Sequence, residues 1–435
     1  MPLVIDRFLR LRRRRSGGLV ASPSLDNADL DRLARSIDEL LAHRDRAGQR
    51  LSAARVLHAY GTLDTVGRRR FLGMLAERFS VDEAAVDAAV EQLRTAPPGA
   101  SRRAAERTMR QAIIPRHLAF LRLVTGLPGG VKLLVDLRAD LLPVRREDPS
   151  LAFLDDELVS HLSSLFDVGL LELRRISWEA TPAAVLESLM AYEAVHEIAG
   201  WDDLRNRLDS DRRCYAYFHP AMPGEPLVFV EIALTDGIAE RLPPLLDLDA
   251  TNLAPDDADT AIFYSISNCQ PGLAGVALGN ELIKHVVEEL QRDFPQLRMF
   301  ATLSPIPGFR AWAEARISAG DLSQAEKESL GDRIDPGDGR WLERARPGLL
   351  SLAARYLTQP VGGRALDQVA NFHLSNGAMV ERIDWLANPA DYGMTGSFGL
   401  MVNYRYDLEK IGSNTVAYLD RGVVAASRDV RSLIR

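Results

Sequence analysis

A glycine-rich segment, Gln270-Pro271-Gly272-Leu273-Ala274-Gly275-Val276-Ala277-Leu278-Gly279, separates an apolar run from an amphipathic one. Before it, Thr260 to Ser267 has the pattern of a buried strand. After it, Leu282, Ile283, Val286, Val287 and Leu290 recur at helical spacing. A strand that turns through glycines directly into a helix gathers backbone N–H groups and the positive end of a helix dipole in one place, which is the outline of an anion site. The segment has neither the Lys-Ser/Thr ending of a P-loop nor a dinucleotide fingerprint. A plain tight connection therefore stays open as the competing reading.

The surroundings of this segment divide the 435 residues in two. Up to about residue 165 the patterns are helical. Leu30, Leu33, Ala34, Ile37, Leu40 and Leu41 share one helix face. Ser80-Val81-Asp82-Glu83 reads as a capping box, followed by the stripe Val86, Ala89, Val90 and Leu93. A helical stretch from about Ala104 to Val124 is kinked or divided at Pro115, and another covers Leu151 to Phe166. From residue 166 strands enter: Leu170–Trp178, Arg213–His219, Leu227–Leu234, Thr260–Ser267 and Leu297–Leu303. Thr181-Pro182 reads as the start of a helix, with Thr181 as its cap. Residues 310–366 return to helical spacing, while Asn371–Trp385 and Gly399–Tyr406 read as strands. The expected fold is α+β and multidomain. An all-α bundle over residues 1–165 precedes an α/β domain over 166–435.

Charge limits the partners. Fifty-three Lys and Arg against 60 Asp and Glu leave a net −7, so a broad basic surface for nucleic acid is excluded, whereas one local anion site is not. Only four of the basic residues are lysine, which reads as compositional bias. Cys214 and Cys269 are too few for a disulfide framework. No apolar run approaches the ~18 residues of a membrane span. The arginine-rich start has no secretory h-region, and acidic residues follow it early. The C-terminal Ser432-Leu433-Ile434-Arg435 is not a peroxisomal address. A cytoplasmic protein is expected.

Two further residues carry possible chemistry. Ser304 closes the strand Leu297–Leu303 before the stiff Pro305-Ile306-Pro307. It either makes a turn hydrogen bond or places a hydroxyl at the strand's mouth. His373 sits in the apolar run Val369–Leu374, read here as the start of a strand. The other seven histidines read as structural or surface groups. No spacing of His, Cys or carboxylates supports a metal site.

These segments together resemble one family. Ile262-Phe263-Tyr264-Ser265-Ile266-Ser267, Gly272-Leu273-Ala274-Gly275-Val276, Leu303-Ser304-Pro305-Ile306-Pro307-Gly308-Phe309, Asn371-Phe372-His373-Leu374-Ser375-Asn376-Gly377-Ala378 and Asn403-Tyr404-Arg405-Tyr406 resemble, in that order, malonyl-CoA decarboxylases. Arg212-Arg213-Cys214-Tyr215 and Pro223–Val228 are similar too. The resemblance covers about residues 25–425. It implies a helical oligomerisation domain and a catalytic domain of acetyltransferase-like (GNAT) fold. It also implies release of CO2 from malonyl-CoA to give acetyl-CoA, no metal or organic cofactor, and a homodimer or homotetramer. By the same resemblance Ser304 and His373 are the catalytic pair, as proton acceptor and proton donor. Ser265 and Tyr406 line the pocket, and Ala274, Gly275, Val276, Ala277, Leu278, Gly279 and Asn280 hold the coenzyme A pyrophosphate. Gly272 stands where the turn's usual Gln or Arg is found. An acyl-CoA N-acyltransferase and a non-catalytic acyl-CoA sensor are the alternatives that this fold leaves.

Overall fold

The computed structural model describes residues 21–42, 45–276, 278, 282–331 and 334–434. The chain divides into two compact units. One comprises Met1–Leu171 with His219–Pro223 and Gln270–Ala277, and the other holds the remainder.

The first unit is helical. Asn27–Ala42 buries Leu33, Ala34, Ile37 and Leu40, the face its spacing predicts. Pro115 divides rather than kinks the next predicted stretch, ending up as the N-cap of Arg116–Thr125 behind Ala100–Ala112. The capping box at residue 80 is not formed. Asp82 is the cap and accepts from Ala85 N–H, while the Ser80 hydroxyl donates to nearby carbonyls. That helix, Glu83–Thr95, buries only Ala89 of its stripe and leaves Val90 exposed, so it lies at the periphery of its unit. Gly130–Glu147 is the opposite case. It buries Val131, Leu133, Leu134, Val135, Leu137, Arg138, Leu141 and Val144, more than one face, and is the central helix of the unit.

The second unit is a mixed sheet in the order β1-β2-β3-β4-β5-β8-β6, with β7 also on β8. Its strands are β1 Glu172–Ile176, β2 Arg212–Phe218, β3 Val228–Thr235, β4 Thr260–Asn268, β5 Met299–Thr302, β6 Ser304–Pro305, β7 Met379–Asp384 and β8 Met401–Arg405. The fold class is the one expected, a helical N-terminal region followed by a mixed α/β sheet domain. The hairpin β2–β3 is antiparallel, as the Pro-Gly turn between them suggests. β4 and β5 pair in parallel and so need a crossover, which the helix Leu282–Asp293 supplies. That helix buries all five residues of its predicted stripe. On one sheet face, Val185, Leu186 and Leu189 of the helix Ala183–Tyr192 pack on Ile176, Ala216, Phe218, Phe229 and the thiol-bearing Cys214 and Cys269. Its start differs from expectation. Pro182 is the cap residue, and Thr181 Oγ1 instead accepts from Ser177 N–H.

His373 is not on a strand. It lies in the last turn of the helix Gln368–Ser375, and the strand begins only at Met379. The cause is Asp367, whose carboxylate accepts from Ala370 N–H at 2.9 Å and starts a helix where the apolar run alone suggested extension.

Candidate active site

The parallel pair β4–β5 ends early. Its last registered partners are Phe263 and Thr302, yet β4 runs on to Asn268. Leu303 N–H makes a last bond to β4, at the Phe263 carbonyl, and from there only the pairing with β8 continues, Ser304 opposite Val402 and Pro305 opposite Met401. β4 also carries an extra residue against β3, Tyr264, between the pairs Glu231–Ser265 and Ile232–Phe263, and such bulges bend a strand. The two strands therefore part at their carboxyl ends. Ser265 stands on one side of the parting and Ser304 on the other.

Ser304 is held by its neighbours in β5 and β8. Its hydroxyl donates to Thr302 Oγ1 at 2.8 Å, and the same Thr302 oxygen accepts from Tyr404 N–H at 3.1 Å. Asn403 Nδ2 donates to the Thr302 carbonyl at 2.7 Å. His373 Nε2 lies 3.2 Å from Ser304 Oγ, and His373 Nδ1 lies 2.8 Å from the Tyr406 hydroxyl. The imidazole stacks on Tyr404, ring centres 4.6 Å apart. Because the Ser304 hydroxyl proton points to Thr302, Ser304 is free to accept from Nε2–H, and Nδ1 then accepts from Tyr406 O–H. This gives one directed chain, Tyr406 to His373 to Ser304 to Thr302.

Burial sets the charge of that chain. It pushes the His373 imidazole down to about 3, so at neutral pH the ring is uncharged. Burial also pushes the Tyr406 and Tyr404 phenols well above their usual range, which keeps Tyr406 a hydrogen-bond donor. The His373 ring is therefore far from the ordinary imidazole pKa of ~6.5.

Ser265 is turned elsewhere. Its hydroxyl donates to Glu193 Oε1 at 2.7 Å, and Ser267 donates to Glu193 Oε2 at 2.9 Å. The same carboxylate accepts from Val195 and His196 N–H, which ties the segment after helix Ala183–Tyr192 to β4. The structure thus brings Ser304, His373 and Tyr406 into one hydrogen-bonded group, with Ser265 in a second one. Of the remaining predicted residues, Ala274, Gly275 and Val276 form a turn after the short 3-10 helix Pro271–Leu273, and Leu278 is buried. Ala277, Gly279 and Asn280 lie outside the described residues. Among the described residues no three His, Cys, Asp or Glu side chains are grouped as a metal site requires.

Sequence reasoning missed Thr302 and Glu193. Thr302 had a usable signal, since it precedes Ser304 by two and so shares its strand face. Glu193 is 72 residues from Ser265 and carries no local signal.

A mixed sheet that parts between β4 and β5, with a neutral Ser–His–Tyr chain at the parting, makes a buried, hydrogen-bonded candidate active site. The comparisons make the class specific. The model described as "Malonyl-CoA decarboxylase C-terminal domain" matches residues 169–435, and "Malonyl-CoA decarboxylase N-terminal domain" matches 79–166. The chain is 37% identical to the mitochondrial malonyl-CoA decarboxylase of Mus musculus, over 97% of this chain and 93% of that protein. Among solved structures, malonyl-CoA decarboxylase from Rhodopseudomonas palustris is 42% identical with a TM-score of 0.86, covering 93% of this chain and 99% of that one. The protein from Agrobacterium vitis is 41% identical with a TM-score of 0.85, covering 92% and 99%. The chain belongs to the malonyl-CoA decarboxylase family.

Proposed function

We propose that this carboxy-lyase converts malonyl-CoA to acetyl-CoA and CO2, with His373 as the proton donor, Ser304 as the group that meets the thioester, and Tyr406 as the support of His373. The observation that carries the reading is the buried chain Tyr406–His373–Ser304 at the end of β5. Breaking the bond to the carboxylate carbon sends its electron pair into the thioester, leaving an enolate. The single negative charge moves from carboxylate to enolate and does not leave until a proton arrives. The incoming malonyl carboxylate supplies the opposite charge that a protonated His373 lacks in the empty site, and so favours the imidazolium there. Nε2–H then delivers its proton to the carbanion carbon, and the ring returns to its neutral form. Each turnover consumes one proton.

Ser304 is a poor base, because a serine hydroxyl gives or accepts hydrogen bonds without ionising near neutral pH. Its role in this reading is to turn its hydroxyl from Thr302 to the thioester oxygen, where the charge develops. Ser265 lines the other strand, with its proton committed to Glu193, and so faces substrate as an acceptor. The turn from Ala274 toward Asn280 receives the coenzyme A pyrophosphate. The steps call for no metal or organic cofactor. We also propose self-association as dimer or tetramer through the helical region, readable by light scattering. We propose a cytoplasmic setting, a reducing compartment in which the two free, buried thiols Cys214 and Cys269 persist. Among the described residues no helix is long and apolar enough to cross a membrane.

The test is incubation of the purified protein with malonyl-CoA. Equimolar CO2 and acetyl-CoA are expected. Free thiol with an acylated amine and no CO2 would instead identify an N-acyltransferase, and tight binding without product an acyl-CoA sensor.

A further inference from the structure

The glycine-rich turn is gripped from behind by a charged side chain of the helical region. Arg138, on the central helix Gly130–Glu147, is only 3% exposed. Its Nη1 donates to two carbonyls of the turn, Gly272 O and Ala274 O, both at 2.7 Å. Its Nε donates to Asp155 Oδ1 at 2.8 Å, and Arg145 pairs with the other oxygen of Asp155. A buried guanidinium is costly unless it is matched this fully, and a hydrophobic side chain would fill the same space without that cost. The backbone fits as closely as the charge. A Cβ on Gly272 would stand 1.8 Å from the Val135 carbonyl oxygen, one helical turn before Arg138. That contact explains why glycine occupies position 272, where a Gln or Arg was the expected residue.

The geometry fixes the direction of the turn. The Ala274 carbonyl and the Gly275 N–H belong to one planar trans peptide unit, so they point opposite ways. With the oxygen held at Arg138, the N–H is aimed away from it. Gly275 has φ +83°, which permits that orientation. Among the described residues Gly275 N–H donates to no backbone acceptor. We infer that Arg138 is a positioning residue for substrate binding: it pins the carbonyl ends of the turn so that the Gly275 peptide presents its N–H to the phosphates of the acyl-CoA. The helical region then shapes the affinity for the nucleotide end of the substrate, in addition to any part in assembly. This rests on the proposed acyl-CoA reading.

The experiment compares malonyl-CoA with malonyl-pantetheine, which carries the same reacting acyl thioester and no phosphate. In Arg138→Gln, kcat/KM for malonyl-CoA should fall about tenfold or more through KM, while kcat/KM for malonyl-pantetheine stays within about twofold. Gly272→Ala should give the same split by pushing the turn off Val135. Equal losses on both substrates would reduce Arg138 to a structural residue and overturn the inference, as would no loss on either. A third measurement uses the unaltered enzyme. Hydrogen exchange at the Gly275 amide should slow with coenzyme A and not with pantetheine, and equal exchange in both would also overturn it. Failure of the function reading looks different. The unaltered enzyme would then release no CO2 from either thioester, while calorimetric binding of coenzyme A to the native and Arg138→Gln proteins would still decide the role of Arg138.

Discussion

The end of β5 and the glycine-rich turn solve opposite problems. At the end of β5 every group is neutral, and order comes from a line of hydrogen bonds between side chains, Tyr406 to His373 to Ser304 to Thr302. At the turn order comes from a buried charge, Arg138, that grips backbone carbonyls and is balanced by Asp155. The difference matches what each place handles in the proposed reaction. A site where charge shifts during the reaction gains from being dry and uncharged beforehand, because every new interaction is then strong. A site that holds a constant polyanion gains from a rigid backbone whose dipoles are already aligned. Substitutions should therefore act on turnover at the first place and on affinity at the second.

The strongest break should come from His373→Ala. Without a proton donor, kcat should drop about 10³-fold or more while the dissociation constant for a malonyl-CoA analogue stays nearly unchanged. Normal turnover would remove His373 from the mechanism. Ser304→Ala should follow, with about 10²-fold lost from kcat and little from affinity. A large loss of binding with normal kcat would make Ser304 a positioning group only. Tyr406→Phe leaves the imidazole in place but removes the donor to Nδ1. About tenfold lost from kcat is expected, measurable by the same CO2 assay.

How much of this could be read from the sequence follows the range of the interactions. The helix Leu282–Asp293 was fully legible, since its stripe is local and amphipathic. The boundaries of β2, β3 and β4 were legible to about one residue for a different reason, since short apolar runs bounded by turn residues mark strands buried on both faces. His373 was read as a candidate site residue and placed on a strand, whereas it lies on the helix Gln368–Ser375. Its apolar neighbours Val369, Ala370 and Leu374 are compatible with either structure, and the deciding residue, Asp367, lies just outside the run. The Ser80 capping box failed in a similar way, because Asp82 is the better-placed cap two residues on. The parting of β4 from β5 depends on a bulge at Tyr264 and on pairing with β8, about 100 residues away, and no local pattern encodes it. Arg138 was one arginine among many, and its role appears only once the turn is beside it.

The neutrality of the first site can be checked through stability. Unfolded His373 takes up a proton near its ordinary ~6.5, whereas the folded ring does so only near 3. Between those values the unfolded chain binds more protons, so this histidine makes stability rise with pH and be lost as pH falls. His196, pushed down to about 4 by burial, acts in the same direction. Glu231, pushed up to about 8, and Asp384, pushed up to about 7, act the opposite way and lower stability as the pH rises toward those values. His373→Asn should therefore flatten the acid side of a plot of unfolding free energy against pH, by up to about one proton at its steepest part. An unchanged slope would show that the ring is already charged in the folded protein.

The smallest effect should be at Glu193, and it probes whether Ser265 belongs with the first site. Glu193→Gln keeps one carbonyl oxygen for Ser265 Oγ and for the N–H groups of Val195 and His196. Its amide NH2 then faces Ser267, whose hydroxyl can reverse from donor to acceptor. The net change is a weaker acceptor and one rotated hydroxyl, so kcat should fall only about two- to fivefold, with the melting temperature close to native. Glu193→Ala is the contrast, because it leaves Ser265 and Ser267 without their acceptor and two backbone N–H groups unpaired. If Ser265 meets the substrate as an acceptor, Glu193→Ala should reduce kcat clearly more than Glu193→Gln when both are assayed well below their melting temperatures. Equal, small losses in both variants would place Ser265 outside the reacting group and leave β4 as a wall of the site only.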